Sequence, residues 1–493
     1  MKLGERIRSG TKWLFAGRIG NQLLQFVFGV VLARLLVPAD FGMLVTVQIF
    51  TGLVGFVAGG GMGEALIRAK HAEPSDFQVV FTIQLAICAL IYAFFFSIAP
   101  WFAIWFDEPL YEDLLRISAL SFMIRPFTSI PRSMLSREMR FKAIAIADVV
   151  TMLSTGVASV LLALSEFGVW SLVWGGLLGS LLNALILVHH TRWKPRFQFD
   201  GQAARIFGGV GVKFTVNFIF DYLITQVGNL IVSRILGPAA TGLYNKAISL
   251  NAMPLNMIGG SASRPVFRAI SAEQDNLDKA KYMYFRMMTL VSVYALPFYV
   301  GLWWLAKSFI VVVYGEKWAN SADVLAIIAV VGLFQCLTYP AGTLVAGLNA
   351  LGKEIRIQIE VLALLVAAGL YSVQWGIKGV AWAAVGVAFY QALRMSLLAN
   401  SCVGARYREL FKAVRPALLL NGTLFLTLML ADFVIFGRHF ADDSMGYLVG
   451  MGGVGVITYT LAFLFIPIEA LDAEVMRWKK TLRIAPATEV KAD

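Results

Sequence analysis

The chain has 493 residues, of which 58% are hydrophobic and 15% charged, with a net charge of +12 and a mean hydropathy of +0.72. Soluble domains are about half apolar and about a quarter charged, so this composition excludes a soluble enzyme or binding module and defines an all-α polytopic membrane protein. The basic excess follows the loops rather than a patch, which makes nucleic acid an unsuitable partner.

Apolar runs of about 20 residues, each long enough to cross a hydrocarbon core roughly 30 Å thick, recur along the chain. Hydropathy and the intervening Gly, Pro and charge breaks predict about 14 spans. In the first half they cover roughly 13–37, 43–63, 78–101, 114–131, 144–164 and 168–188. In the second they cover roughly 206–236, 241–262, 284–306, 322–347, 355–373, 377–400, 411–436 and 446–467. The run from Trp13 to Val37 is longer than a signal-peptide core and lacks a small-x-small cleavage site, so it is expected to be an uncleaved first span.

The connections alternate in charge. One set is basic, as in "RAKHAEPSD", "RSMLSREMRFK" and "HHTRWKPRF"; the other is short and neutral or acidic, as in "PADFG", "FDEPLYED" and "GPAATG". About 31 of the 42 Lys and Arg fall on the first side, which the positive-inside rule assigns to the cytoplasm together with both termini. No connection is long enough for a separate soluble domain, which argues against an enzyme with an extracytoplasmic active site. The polar tail from about residue 471 is expected to be a partly disordered cytoplasmic segment.

One stretch is written twice. "ARLLVPADFG" from Ala33 matches "SRILGPAATG" from Ser233 with no gap: Arg34 falls on Arg234, Leu36 on Leu236, Pro38 on Pro238 and Gly42 on Gly242. Gly60 and the pair Arg68-Ala69 match Gly260 and Arg268-Ala269 in the same register. An even number of spans separates the copies, so the halves share one orientation, as in parallel-repeat transporters. The expected domains are 1–200, 201–404, an added helix pair over 405–470, and a tail over 471–493. Arg34 and Arg234 are expected to cap the last carbonyls of their helices and snorkel outward, while the proline ends the span.

Polar groups inside spans are costly and face a bundle interior or a cavity. The first span carries Arg18, Asn21, Gln22 and Gln25 on one helical face. The seventh carries Lys213, Asn217, Asp221 and Thr225 at steps of four, with Asp221 matching Asn21 in the repeat. Two such stripes on matched helices point to a shared cavity; interhelical hydrogen bonding is the alternative. Arg125 and Arg394 add positive potential within spans, and guanidinium groups hold phosphate through forked hydrogen bonds. Arg68 and Arg268, at the cytoplasmic exits of spans two and eight, are candidates for capturing an anionic headgroup, with snorkelling as the plain reading. Asp148, Asp221 and Glu360 are the acids that suit ion coupling, since burial favours proton uptake by a carboxylate.

Other motifs carry no chemistry. Cys88, Cys336 and Cys402 lack metal or disulfide spacing and are read as core residues. His71, His189, His190 and His439 show no ligand pattern, so neither a metal site nor a cofactor is expected. "GLNALGKE" ends in Glu354 rather than Ser or Thr and is a cytoplasmic turn; "GMGGVG" lies within the last span. No catalytic constellation is found.

The opening "GRIGNQLLQFVFGVVLARLLVPADFG", then "GGGMGEALIRAK" and "RPFTSIPRSMLSREMRFK", resemble the Wzx-type polysaccharide flippases of the multidrug/oligosaccharidyl-lipid/polysaccharide (MOP) superfamily, in their WzxC/ExoT-like exporter branch. The resemblance implies two pseudo-symmetric bundles of about six helices forming a V around a cationic cavity, plus two C-terminal helices. It implies an inner-membrane carrier of oligosaccharide linked to undecaprenyl pyrophosphate, working by alternating access. A polysaccharide polymerase and copolymerase would be its neighbours, and a proton or sodium gradient its energy source. Arg18 and Arg68 stand where lipid II flippases of the superfamily place essential arginines; Arg268 lies past that position, where Lys213 is the nearer substitute. The rival readings are a cation-coupled multidrug antiporter, a lipid II flippase, and a membrane glycosyltransferase or polymerase. The basic spans weigh against the first, and the short outer loops against the last.

Overall fold

The computed structural model describes residues 3–59, 62–69, 73–436, 441 and 443–482. Among them the secondary structure is helical, with no strand. That follows from the solvent: hydrocarbon offers no hydrogen bonds, so each span must satisfy its own backbone. Ten stretches among the described residues are long and apolar enough to cross a membrane, with Gly20–Leu35 as a shorter eleventh. The expectation of about 14 spans differs from this for physical reasons. Two expected spans merge in Leu351–Val403 and two in Ile219–Gly260. Another, the helix Leu110–Arg137, carries Arg116, Arg125, Arg132 and Arg137 and is too polar to qualify by hydropathy.

Helix α1 (Leu3–Leu35) ends before Pro38, which opens α2 (Pro38–Gly59). A proline in the first turn loses no needed N–H, and Asp40 accepts from the Val37 N–H at 3.2 Å. A short α3 (Met62–Arg68) follows, its end bound by Arg137, whose Nη1 donates to the carbonyls of Leu66 at 2.9 Å and Ala69 at 2.6 Å. Then come α4 (Pro74–Trp105), α5 (Leu110–Arg137), α6 (Phe141–Leu164) and α7 (Val169–Thr191). Helix α8 (Gly201–Ala272) runs through the second copy of the repeat and breaks at Gly237, with φ 82° and ψ −177°. That conformation suits glycine alone, so the second copy makes its break with Gly237 where the first relies on Pro38 and the Asp40 cap.

The two copies of the turn meet. A Cβ on Gly42 would fall on the Pro238 carbonyl, and a Cβ on Gly242 on the Pro38 carbonyl. Only glycine at both places permits this backbone approach. Beside it the Thr46 and Ser233 hydroxyls lie 2.5 Å apart, and the Tyr111 hydroxyl donates to Thr46 at 3.1 Å. Arg234 faces Asp107 at 3.5 Å at the rim, giving the repeated arginine a surface ion pair in its second copy.

By packing the chain forms two compact units, residues 1–245 and 246–493. The sequence repeat sets its halves at 200/201; packing parts the chain within the second arm of α8. In the first unit, Phe95, Phe102, Phe106, Tyr111 and Phe122 form an aromatic core between α4 and α5. Helices α6 and α7 approach through Gly175 and Gly179, a small-residue pair four apart that lets membrane helices close on one another. Helix α1 lies along α6, with Gly17 on Ala145 and Phe28 on Gly156. Past α7 the chain runs without regular structure against α4: Gln78 bonds the Lys194 carbonyl and the Arg196 N–H, and Thr82 accepts from the Gln198 N–H.

The second unit contains α9 (Leu277–Phe309), α10 (Asn320–Gly347), α11 (Leu351–Ser372), α12 (Gly376–Val403), α13 (Tyr407–Ala431) and α14 (Met445–Phe465). Gly332 of α10 leaves room for the buried Tyr299 ring of α9. The added pair α13 and α14 packs on α9 through Leu420, Leu424, Leu428 and Phe463. Of the tail expected to be partly disordered, residues Asp472–Thr481 form a helix, α15, and residues 483–493 lie outside the described residues. It is held to α9 by Arg286, which reaches the Ala470 carbonyl at 2.8 Å and Glu474 at 3.3 Å, and by Trp478, which donates to the Tyr294 hydroxyl at 2.8 Å.

Candidate functional site

The first unit carries an open cavity of about 670 Å³, within the size range of ligand-binding sites. Its wall is built by α2 (Gln48, Thr51, Gly52, Gly55), α5 (Ser121, Phe122, Ile124, Arg125, Thr128, Arg132), α6 (Thr151), α7 (Ser180, Asn183) and Tyr222 of α8. Two arginines face it, and no carboxylate is among the described lining residues.

Each position follows from helix geometry. Ser121, Arg125, Thr128 and Arg132 are spaced four, three and four, which places them on one face of α5. Gln48, Thr51, Gly52 and Gly55 repeat the pattern on α2. The glycines make the room: a Cβ at Gly55 would lie 2.9 Å from Arg125 Nη1, and one at Gly52 would strike the Tyr222 ring. Tyr222 in turn donates to the carbonyls of Gln48 at 2.9 Å and Ile49 at 3.1 Å, pinning α8 to α2. On the far wall Asn183 Nδ2 donates to Thr151 Oγ1 at 2.7 Å.

The two cations differ. Arg132 is engaged by Asp148 of α6 through both guanidinium tips, Nη1 lying 3.2 Å from Oδ2 and Nη2 bonding Oδ1. The Arg125 guanidinium has neither an ion-pair nor a hydrogen-bond partner among the described residues. It presents its donors to the cavity beside Gly55.

Of the residues expected at a binding site, Arg125 is the one found among the described residues of this wall. Asn21, Gln22 and Gln25 of α1 are not among its described lining residues; α1 packs against α6, and the buried Asn21 Oδ1 has no hydrogen-bond partner among the described residues. Asp221 and Thr225 are exposed and do not line it either, although Tyr222 between them does. The side chains of Arg18, Arg68, Lys213 and Asn217 lie outside the described residues. Arg268 is exposed. Asp148, considered for ion coupling, is held by Arg132. Glu360 is held by Arg394 at 2.9 Å and by the Tyr390 hydroxyl at 2.8 Å. Gln48, Thr51, Arg132, Thr151 and Asn183 were not singled out from the sequence, though the stripe of α5 was there to be read.

The architecture defines the class: a polytopic helical membrane protein with the fold seen in transporters of the MOP superfamily. The lipid II flippase MurJ in an inward closed conformation superposes with a TM-score of 0.72, covering 92% of this chain and 97% of that one at 16% identity. An inward-facing MATE family transporter of the MOP superfamily gives 0.63 over 78% of this chain and 94% of that one at 15% identity. The sequence matches the family described as "Polysaccharide biosynthesis protein" over residues 31–323, and the chain belongs to it. Among curated relatives, the succinoglycan biosynthesis transport protein ExoT of Rhizobium meliloti (strain 1021) is 24% identical over 92% of this chain and 91% of its own length. The lipopolysaccharide biosynthesis protein WzxC of Escherichia coli (strain K12) is 24% identical over 70% of each. The teichuronic acid biosynthesis protein TuaB of Bacillus subtilis (strain 168) is 21% identical over 94% of this chain and 96% of its own length.

Proposed function

We propose that the protein moves an oligosaccharide linked to undecaprenyl pyrophosphate across the bacterial inner membrane by alternating access, supplying a polysaccharide that is polymerised outside. The observation that carries this reading is Arg125: an arginine without a partner among the described residues, in a cavity whose described wall holds hydroxyls and amides but no acid. A guanidinium offers forked donors to phosphate, and hydroxyl and amide groups suit the sugar. A cationic drug would need an acid in the wall, so the multidrug antiporter is the weaker alternative. The lipid II reading differs only in headgroup, and the relatives' names favour an exported polysaccharide. In this scheme both termini are cytoplasmic, Arg18, Lys213 and Asn217 extend the cation-lined path, Arg68 and Arg268 meet the headgroup at the cytoplasmic face, and a polymerase takes the product. The energy source is a proton or sodium gradient.

The test is the sidedness of the lipid-linked oligosaccharide in cells lacking the protein. Wild type restores its access to the outer leaflet; Arg125→Ala, at equal abundance in the membrane, lowers that flux at least tenfold. Full flux with Arg125→Ala would reject the anion-binding cavity. Normal sidedness in the deletion strain would reject the flippase itself.

A further inference from the structure

We propose that Asp148 is an internal counter-ion for Arg132, holding its guanidinium until the phosphate of an arriving substrate displaces the carboxylate. The proposal rests on the anionic-headgroup reading above and gives that site a charge-exchange step.

Arg125 and Arg132 share one face of α5 and one cavity, two turns or about 10 Å apart along the helix axis. They are nevertheless treated differently. Arg125 has no partner among the described residues, while Arg132 is clasped at both tips by Asp148. A carboxylate on a guanidinium fork occupies the donors that a phosphate would use. The clasp is accessible, its side chains retaining 41% and 30% exposure, so a ligand in the cavity can reach it and the pair is only modestly stabilised in the presence of solvent. With the pair closed, the cavity offers the uncompensated charge of Arg125; with it open, Arg132 adds a second, closer to the charge of a pyrophosphate.

Position adds a mechanical consequence. Asp148 lies one turn before Thr151 on α6, and Thr151 bonds Asn183 of α7 in the same wall. Exchange of the Arg132 partner therefore releases a tie between α5 and the α6–α7 pair at the moment the substrate binds. A purely structural ion pair would predict something else: removing Asp148 would loosen Arg132 and weaken anion binding or leave it unchanged.

The experiment is equilibrium binding of farnesyl pyrophosphate to the full-length protein in nanodiscs, with farnesol as the uncharged control. The wild type binds the pyrophosphate more tightly than farnesol, and Arg125→Ala erases that preference. Asp148→Asn tightens pyrophosphate binding about tenfold, equal to about 1.4 kcal/mol, without changing farnesol binding. Arg132→Ala cancels the gain, so Asp148→Asn/Arg132→Ala binds like Arg132→Ala alone, and Asp148→Glu keeps wild-type affinity. Asp148→Ser replaces Asp148→Asn if the latter fails to fold, judged by size exclusion and melting. Unchanged or weaker binding by both neutral variants overturns the counter-ion while leaving the Arg125 reading intact. No preference for pyrophosphate in the wild type overturns both.

Discussion

Gly179 joins the packing of two helices to the wall of the cavity, and replacing it with alanine should disturb both. An alanine Cβ there would overlap the Thr155 hydroxyl, lie 3.1 Å from Thr155 Cβ, and rest 3.4 Å from the Thr151 carbonyl. Only the first two are too close; Thr155 has two χ1 rotamers open to it in a helix, but its Cβ stays where the backbone puts it. Overpacking of this kind costs about 1–3 kcal/mol, and a contact this severe lies near the upper figure. Parting α6 from α7 also stretches the 2.7 Å bond from Asn183 to Thr151, for about 1 kcal/mol more. Higher helix propensity offsets about 1 kcal/mol, leaving a net loss of about 2–3 kcal/mol. The assay is reversible unfolding in mixed micelles of rising SDS fraction, followed by tryptophan fluorescence. Thr155→Ala removes the overlapping hydroxyl and leaves only the Cβ contact, which a small shift relieves, so the double variant should recover more than half of the loss. A Gly179→Ala protein as stable as wild type would refute the close approach of α6 and α7. A loss that Thr155→Ala does not relieve would refute its assignment to Thr155.

Gly55→Ala should separate binding from stability. Its Cβ meets only the flexible tip of Arg125, so the same unfolding assay should show a change within about 1 kcal/mol in either direction, whereas pyrophosphate binding falls severalfold. Equal affinity would mean that the Arg125 tip is free to move without consequence. In the second unit, Glu360→Gln and Arg394→Met should each destabilise the fold more than the two together, because either alone leaves the other charge of the pair uncompensated within the membrane. Additive losses in that cycle would show that the pair is not coupled.

Hydropathy made the helical architecture readable because a bilayer leaves the chain few alternatives. The repeated proline turn was readable too, since Pro38 and Pro238 punctuate apolar runs wherever they stand. The site was less so. Attention to the two matched polar stripes of α1 and α8 led to Asn21 and Asp221, whereas the described cavity draws on α2, α5, α6 and α7 and takes from α8 only Tyr222, beside Asp221. The stripe from Ser121 to Arg132 obeys the same helical spacing but is interrupted by Pro126 and Pro131 and sits in a run of modest hydropathy. What periodicity cannot provide is partnership. Nothing local to Arg125 or Arg132, both of which face the cavity, says that Arg132 is clasped by a residue of the next helix while Arg125 has no partner among the described residues; that depends on how α5 and α6 pair.

The meeting of Gly42 with Pro238 and of Gly242 with Pro38 constrains how the duplicated segment can change over evolutionary time. After most duplications one copy is free to drift while the other keeps the original task. Here each copy is the surface against which the other was fitted, so a side chain gained by either glycine is felt at the opposite proline. The two turns are bound to keep their resemblance, and the ancestry of the chain stays legible where its halves of the repeat touch.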